Sequence, residues 1–320
     1  MVSWIDWQVT HADGSLLVNN ACFGDWLNID AMMDPVYLST AYFAGMTKRL
    51  SRMAEWIGEH TESIRLLNLY EATKLEFAGA FFTKDDKLTQ KQQTAAVLAL
   101  AFDLCPNKNA RKNTLEQLKH DIVVNRNLHL STGFLGTPLL LKTLSDAGEL
   151  DLAYDLLLQT SWPGWLYPVT QGATTMWERW NSWTSDKGFG DPEMNSFNHY
   201  AYGAVGDWFF ETICGIQPDL SSADAIGFKH FILAPQPGKR LTSAAARYHS
   251  ICGWIESSWN IKGSEFQWHF TIPANSTARV VLPDGMSAGT GELIPGATQN
   301  NDSSWEVGPG TYQITLHIDA

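Results

Sequence analysis

The chain has 320 residues, 44% of them apolar and 18% charged, a composition that is typical of globular proteins and excludes intrinsic disorder. Its 34 acidic and 22 basic residues give a formal net charge of −12, which excludes the basic surface that nucleic acids and anionic membranes attract. No apolar run reaches the ~18 residues of a membrane span. We therefore expect neither a nucleic-acid partner nor a membrane partner.

The start of the sequence and its cysteines predict a cytoplasmic protein. The opening residues, MVSWIDWQVT, have neither the basic start nor the apolar centre of a secretion signal. The cysteines are scattered without a CxxC pair, which favours reduced thiols over a disulfide framework. They are Cys22, Cys105, Cys214 and Cys252.

Helical periodicity dominates roughly the first 220 residues. Asp34 followed by Pro35 predicts an N-cap and a first helical residue. Further helices are predicted over 66–82, from a capping box at Thr89 and Gln92, around 115–122, over 134–144, over 150–159 and after Ser196. Because short links join helices of similar length, we expect antiparallel helix pairs.

From about residue 228 the apolar period falls from 3.6 to 2 residues. Residues 266–272 and 312–318 alternate apolar and polar side chains, which predicts antiparallel strands with one packed face. A polar stretch near residues 218–225 separates the two patterns. The sequence therefore predicts a helical domain over 1–222 and a β domain over 223–320.

Aromatic residues concentrate around Glu178, where five tryptophans fall between Trp162 and Trp183. A sugar needs flat aromatic platforms for its C–H faces and a few polar groups for its hydroxyls. A carboxylate among indoles is also suited to general acid–base chemistry. Two structural interpretations compete with this one. The tryptophans could fill the core, and Glu178 could pair with Arg179 or with a more distant base.

Two shorter motifs are further candidates. Asp25 and Trp26 lie in a GDWL loop before the first capped helix, and His199 lies in an NHY motif at the start of the last one. A simple turn would explain the former and backbone capping the latter.

No motif predicts a metal or a cofactor. The stretch from Asp191 to Asn195 alternates oxygen ligands that could hold calcium, but the rest of a calcium loop is missing. The sequence contains no GxxxxGK[ST], GxSxG or HExxH motif and no GxGxxG motif after a strand. We expect neither a metal site nor a cofactor.

Together these segments resemble the bacterial α-L-rhamnosidases of glycoside hydrolase family 78. The string GATTMWERW over residues 172–180 carries the most specific match, and the segments 24–27, 132–138 and 196–200 match in the same order. The resemblance implies an (α/α)6 barrel followed by an antiparallel β-sandwich. It also implies inverting hydrolysis of terminal α-L-rhamnose from glycosides.

The resemblance also implies residue roles. Glu178 corresponds to the general base that activates water, Trp26 to a wall of the rhamnose subsite and His199 to a ligand of a sugar hydroxyl. Asp25, Trp177 and Trp180 complete the expected substrate-binding set. The 6-deoxy methyl group of rhamnose suits an indole-lined site.

Inversion needs a second carboxyl group, roughly 6.5–9.5 Å from the base, to protonate the leaving oxygen. In the family this acid precedes the GDW loop, and no segment here resembles its motif. We therefore expect the later part of a barrel, with exposed apolar helix faces that a second copy or a partner fragment would cover. Two other hypotheses stay open: a relative that binds rhamnose without hydrolysing it, and a glycosidase for another deoxy or neutral sugar.

Overall fold

The computed structural model describes residues 1–12, 14–19, 23–29, 32–238, 240–288, 293–302 and 304–318. The chain forms two compact units, Met1–Ala204 and Val205–Ala320. Cys22 lies outside the described residues. Within them, no helix is both long enough and apolar enough to span a bilayer.

Helices build most of the first unit. They are α1 (Val2–Thr10), α2 (Pro35–Trp56), α3 (His60–Phe81), α4 (Gln93–Ala101), α5 (Lys108–His120), α6 (Thr137–Asp146), α7 (Leu150–Leu157) and α8 (Leu166–Thr170), followed by the two-stranded β1 (Trp183–Thr184) and β2 (Gly188–Phe189). Consecutive helices pack in pairs, α2 with α3, α4 with α5 and α6 with α7, and α4 also packs against α2 and α6. The short links make each pair a helical hairpin, as predicted.

Helix starts follow the capping chemistry of the sequence in one case and depart from it in another. The Asp34 carboxylate accepts a hydrogen bond of 2.8 Å from the Val36 N–H, and Pro35 opens α2 as predicted. The predicted capping box at Thr89 and Gln92 is wrong. Thr89 instead donates its hydroxyl to the Phe81 carbonyl at 3.0 Å, because a bridge between residues 82 and 88 holds it outside the helix.

Strands build most of the second unit, after a short helix α9 (Val205–Trp208) and a π-helical turn (Phe209–Ile213). They are β3 (Ile216–Pro218), β4 (His230–Leu233), β5 (Ser243–Ser250), β6 (Gly253–Lys262), β7 (Glu265–Ile272), β8 (Thr277–Val280), β9 (Met286–Ala288), β10 (Thr298–Gln299), β11 (Trp305–Val307) and β12 (Gly310–Ile318). Two five-stranded sheets result, with strand orders β10-β11-β8-β4-β3 and β5-β6-β7-β12-β9. The pair of β4 and β8 is parallel, and the other pairs are antiparallel.

The inner face of the second sheet confirms the predicted alternation. Phe266, Trp268 and Phe270 on β7 are buried, and the residues between them are partly or fully exposed. The buried indoles also satisfy their N–H groups. Trp268 Nε1 donates to Ser257 Oγ at 3.0 Å, and Trp259 Nε1 donates to the Ile213 carbonyl at 2.8 Å.

The described cysteines are free thiols, and two of them, Cys105 and Cys214, are buried. Burial raises the pKa of the Cys214 thiol to about 11 and also raises the pKa of the Cys105 thiol. A thiol with a raised pKa forms little thiolate near neutral pH, so these side chains act as small apolar groups.

The two faces of β7 predict different responses to truncation. Trp268→Ala removes a fully buried indole and should lower the free energy of unfolding of the second unit by about 3–5 kcal/mol. The neighbouring His269 is exposed, so His269→Ala should change it by no more than about 0.5 kcal/mol. Urea denaturation of both variants measures the difference, and equal losses would contradict this assignment of faces.

Candidate active site

Two loops of the first unit run side by side where helices begin. Residues 23–29 precede α2, and residues 131–136 precede α6. The Ile29 N–H donates to the Ser131 carbonyl at 2.9 Å, and the Phe134 N–H donates to the Trp26 carbonyl, also at 2.9 Å. The buried side chain of Gln93, the first residue of α4, accepts a hydrogen bond of 2.8 Å from the Ser131 N–H. Trp26 therefore lies in a loop that is hydrogen-bonded to the turn before α6.

The carboxylate of Asp25 lies at the centre of this arrangement. Its Oδ2 accepts hydrogen bonds from the Thr94 hydroxyl and, at 2.8 Å, from the Gly133 N–H. Its Oδ1 accepts hydrogen bonds from the N–H groups of Leu135 at 2.8 Å and Gly136 at 3.3 Å. The side chain is 1% exposed. Burial raises the pKa of the Asp25 carboxyl, and the four hydrogen bonds act in the opposite direction.

These donors explain why α6 begins later than the sequence predicts. The prediction started the helix at Phe134, whereas α6 begins at Thr137. The N–H groups of residues 133, 135 and 136 point to Asp25, so these residues form a turn. The sugar contact predicted for Asp25 stays a prediction, and its oxygens are bonded within the protein.

Glu178 is partly buried and tied to the segment that carries His199. The Glu178 N–H donates to the Ser196 carbonyl at 2.9 Å, and Glu178 Oε2 accepts a hydrogen bond of 2.8 Å from the Ser196 N–H. The other oxygen, Oε1, has no hydrogen-bond partner within the described part of the chain. Arg179 instead donates its Nε to the Met194 carbonyl at 3.1 Å. One carboxylate oxygen is thus anchored, while the other is available to a water molecule.

His199 lies on the same pair of segments. Its backbone N–H donates to the Met176 carbonyl at 2.8 Å, and its ring Nδ1 accepts a hydrogen bond of 3.3 Å from the Ala201 backbone N–H. Because Nδ1 accepts, Nε2 carries the ring hydrogen and can donate to a hydroxyl. The ring stacks on Phe134, with centroids 4.9 Å apart, and lies parallel to Tyr200 at 5.6 Å.

The tryptophans divide into a buried and an exposed group. Trp165, Trp177 and Trp180 are 7%, 6% and 4% exposed, whereas Trp26 is 39% exposed. Trp180 stacks on Tyr202 with ring centroids 3.8 Å apart. For the buried group the core interpretation describes the packing, and the substrate contacts of Trp177 and Trp180 stay predictions. Trp26 has the exposed indole surface that a sugar platform needs.

The segment considered for calcium uses its side chains on the backbone. Asp191 Oδ1 accepts a hydrogen bond of 3.0 Å from the Glu193 N–H, and Asn195 Nδ2 donates to the Ser182 carbonyl at 2.9 Å. Among the residues that the structure describes, no group of three or more His, Cys, Asp or Glu side chains could hold a metal ion.

The sequence patterns do not identify three residues that position the predicted ones, which are Thr94, Phe134 and Ser196. Thr94 lies in an apolar helical stretch and gives no sequence signal, because its partner Asp25 is distant in the chain. Phe134 continues an apolar pattern that predicts a helix, and Ser196 gives only the signal of a helix start. The Tyr202 hydroxyl and Trp180 Nε1 are buried without a hydrogen-bond partner among the described residues.

Comparisons with known proteins match nearly the whole chain. The family model described as bacterial alpha-L-rhamnosidase 6 hairpin glycosidase domain matches residues 1–213, and the bacterial alpha-L-rhamnosidase C-terminal domain matches residues 215–293. An alpha-L-rhamnosidase of Streptomyces avermitilis is 36% identical over 98% of this chain and 30% of its own length. One from Formosa agariphila is 40% identical over 88% of this chain and 31% of its own length.

A solved structure shares the fold of both units. The S. avermitilis alpha-L-rhamnosidase, crystallised in complex with L-rhamnose, superposes with a TM-score of 0.86 at 37% identity. The alignment covers 98% of this chain and 30% of that one. The similarity confirms the predicted six-hairpin barrel fold with a C-terminal β domain. The chain spans less than a third of the length of these relatives.

Two glycine substitutions test the contact between the loops. A Cβ at Gly133 would lie 2.3 Å from the Trp26 carbonyl oxygen and 2.6 Å from that of Asp25. Gly133→Ala should therefore lower the free energy of unfolding by about 1–3 kcal/mol, because backbone atoms must move apart. Gly79 on α3 has open space around it. Gly79→Ala should stabilise the chain by up to about 1 kcal/mol. Thermal unfolding of both variants measures this, and a stabilising Gly133→Ala would contradict the close approach.

Proposed function

The chain belongs to the bacterial α-L-rhamnosidases, and on this premise we propose that it hydrolyses terminal α-L-rhamnose from glycosides with inversion. The observation that carries the proposal is the pairing of residues 175–178 with residues 196–199. This pairing holds Glu178 on the same two segments as His199. Phe134 then links the His199 ring to the Trp26 loop. A base, a hydroxyl ligand and an aromatic platform thus lie on connected segments.

The proposed chemistry assigns one task to each of these groups. The Ser196 N–H fixes Glu178 Oε2, so that Oε1 can accept a proton from the attacking water. The exposed face of Trp26 takes the apolar face and the methyl group of the sugar. His199 Nε2 donates to a ring hydroxyl and orients the sugar.

The leaving oxygen must be protonated by a second carboxyl group. Asp25 is poorly suited to this role, because its oxygens already accept four hydrogen bonds and its side chain is buried. If Asp25 were protonated, its O–H would face groups that are themselves hydrogen-bond donors, which disfavours the protonated form that a general acid needs. We therefore propose that a different carboxyl group acts as the acid.

We also propose that the chain associates with a second copy of itself. Apolar side chains exposed on α1 and α3 support association with a second copy. They are Trp4, Trp7, Ile64, Leu67 and Leu75. The cytoplasmic location and the lack of nucleic-acid and membrane partners stay predictions from the sequence.

Replacing the proposed base should abolish turnover selectively. Glu178→Gln should lower kcat on an aryl α-L-rhamnoside about 10²–10⁴-fold and leave the Kd for L-rhamnose within about 3-fold, because the shape of the side chain is kept. Glu193→Gln, an exposed carboxylate of the same region, should keep full activity. An unchanged rate in Glu178→Gln would refute the assignment. A chain that binds L-rhamnose without hydrolysing it would support the binding-protein hypothesis instead.

The proposed platform predicts a binding defect with a matched control. Trp26→Ala should raise the Kd for L-rhamnose at least about 10-fold, because the apolar face of the sugar loses its contact. Trp254 on β6 is similarly exposed, at 47% against 39% for Trp26, but belongs to the other unit. Trp254→Ala should bind the sugar like the parent chain. Calorimetry measures both, and equal losses in the two variants would contradict the assignment of Trp26.

A further inference from the structure

We infer that Asp25 is a positioning residue, which holds the loop that carries Trp26 against the turn whose Phe134 ring stacks on His199. This inference rests on the proposed function. The device is named here the Asp25 clip. It consists of the Asp25 carboxylate and its four donors, the Thr94 hydroxyl and the N–H groups of Gly133, Leu135 and Gly136.

The clip fixes the orientation of the carboxylate completely. Each oxygen accepts two hydrogen bonds, one oxygen from Thr94 and Gly133 and the other from Leu135 and Gly136. The donors come from two elements that are distant in sequence, the first turn of α4 and the turn before α6. A side chain held from two directions cannot rotate without losing hydrogen bonds that are costly to leave unmade. The backbone of Asp25, and hence of Trp26, is fixed with it.

The clip reaches His199 through Phe134. Phe134 lies between two clip donors, Gly133 and Leu135, so its backbone is held on both sides. Its own N–H donates to the Trp26 carbonyl at 2.9 Å. Its ring stacks on His199 at 4.9 Å. The platform and the hydroxyl ligand are therefore attached to the same turn.

The four donors require a carboxylate at position 25, although burying one is costly. Burial raises the pKa of the Asp25 carboxyl, so the charged form is less stable in the folded chain than in water. The starts of α4 and α6 offset part of that cost, because helix N-termini favour negative charge. A neutral Asn of the same shape would be easier to bury. It has only one acceptor oxygen, however, and would turn its NH2 group toward two donors.

The substitution Asp25→Asn tests the clip in the full chain. We expect the amide hydrogens of residues 133, 135 and 136 to exchange at least about 10-fold faster. We also expect the Kd for L-rhamnose to rise at least about 10-fold, and the Trp26 indole N–H signal, identified with Trp26→Phe, to shift. Asp219→Asn is the control, since Asp219 is also buried and accepts a hydrogen bond of 3.0 Å from a backbone N–H, that of Ser221, in the second unit. It should change none of these three readouts.

A second variant separates positioning from folding. Phe134→Leu keeps the clip but removes the ring that stacks on His199, so it should weaken L-rhamnose binding while leaving the exchange of Gly133 and Leu135 unchanged. Thr94→Val removes one donor and should speed the exchange of the Gly133 amide and weaken L-rhamnose binding relative to the parent chain. If Asp25→Asn does not fold, parent-like exchange in Thr94→Val would overturn the clip.

Three results distinguish the possible failures. Parent-like exchange in Asp25→Asn would overturn the clip, and faster exchange with parent-like affinity would overturn its role in sugar binding. If the parent chain does not bind L-rhamnose, the proposed function fails. The indole signal and the exchange rates then still decide whether Asp25 holds the Trp26 loop.

Discussion

Four donors converge on one buried carboxylate, and the rest of the candidate site depends on that interaction. Asp25, in the loop before α2, accepts hydrogen bonds from the first turn of α4 and from the turn before α6, so it joins three segments of the chain. Loops usually move more than the elements they connect. Here the hydrogen bonds transfer the rigidity of the helical hairpins to the loop that carries Trp26. A functional group placed in this way keeps its geometry before the ligand arrives, which is what binding and catalysis require.

Local chemistry predicted the regular elements well. Asp34 and Pro35 placed the start of α2, and the alternation over 266–272 placed the packed face of β7. Gly148 has a φ of +83° just after α6, the left-handed conformation in which a glycine commonly follows a helix. Such features depend on residues a few positions apart, and their physical causes can be read from the sequence directly.

Long-range hydrogen bonds produced the failures. The turn before α6 reads as helix because Phe134 continues an apolar pattern. Asp25, 108 residues before Gly133, accepts hydrogen bonds from backbone N–H groups of this turn. Within a helix start, an N-cap side chain would accept from such groups. Thr94 gives no local signal of its role for the same reason. The spacing of Thr89 and Gln92 fits a capping box, but a bridge between residues 82 and 88 holds Thr89 outside the helix. The sequence could name Asp25, Trp26 and Glu178 as candidates without showing what positions them.

The tryptophan cluster shows that two interpretations can describe one segment. Trp177 and Trp180 are buried, while Glu178 between them is only partly buried and turns one oxygen to Ser196. Pairing with residues 196–199 holds the buried indoles and Glu178 on one stretch of chain. The same segment therefore contributes packed side chains to the fold and carries the proposed base.

A crystal structure of the chain with bound L-rhamnose tests the central claim most directly. We predict that the sugar lies on Trp26, within hydrogen-bond reach of His199 Nε2 and beside Glu178. Asp25 should still accept hydrogen bonds of less than about 3.2 Å from the N–H groups of Gly133 and Leu135. A sugar hydroxyl bonded to the Asp25 carboxylate, with those protein hydrogen bonds broken, would contradict it.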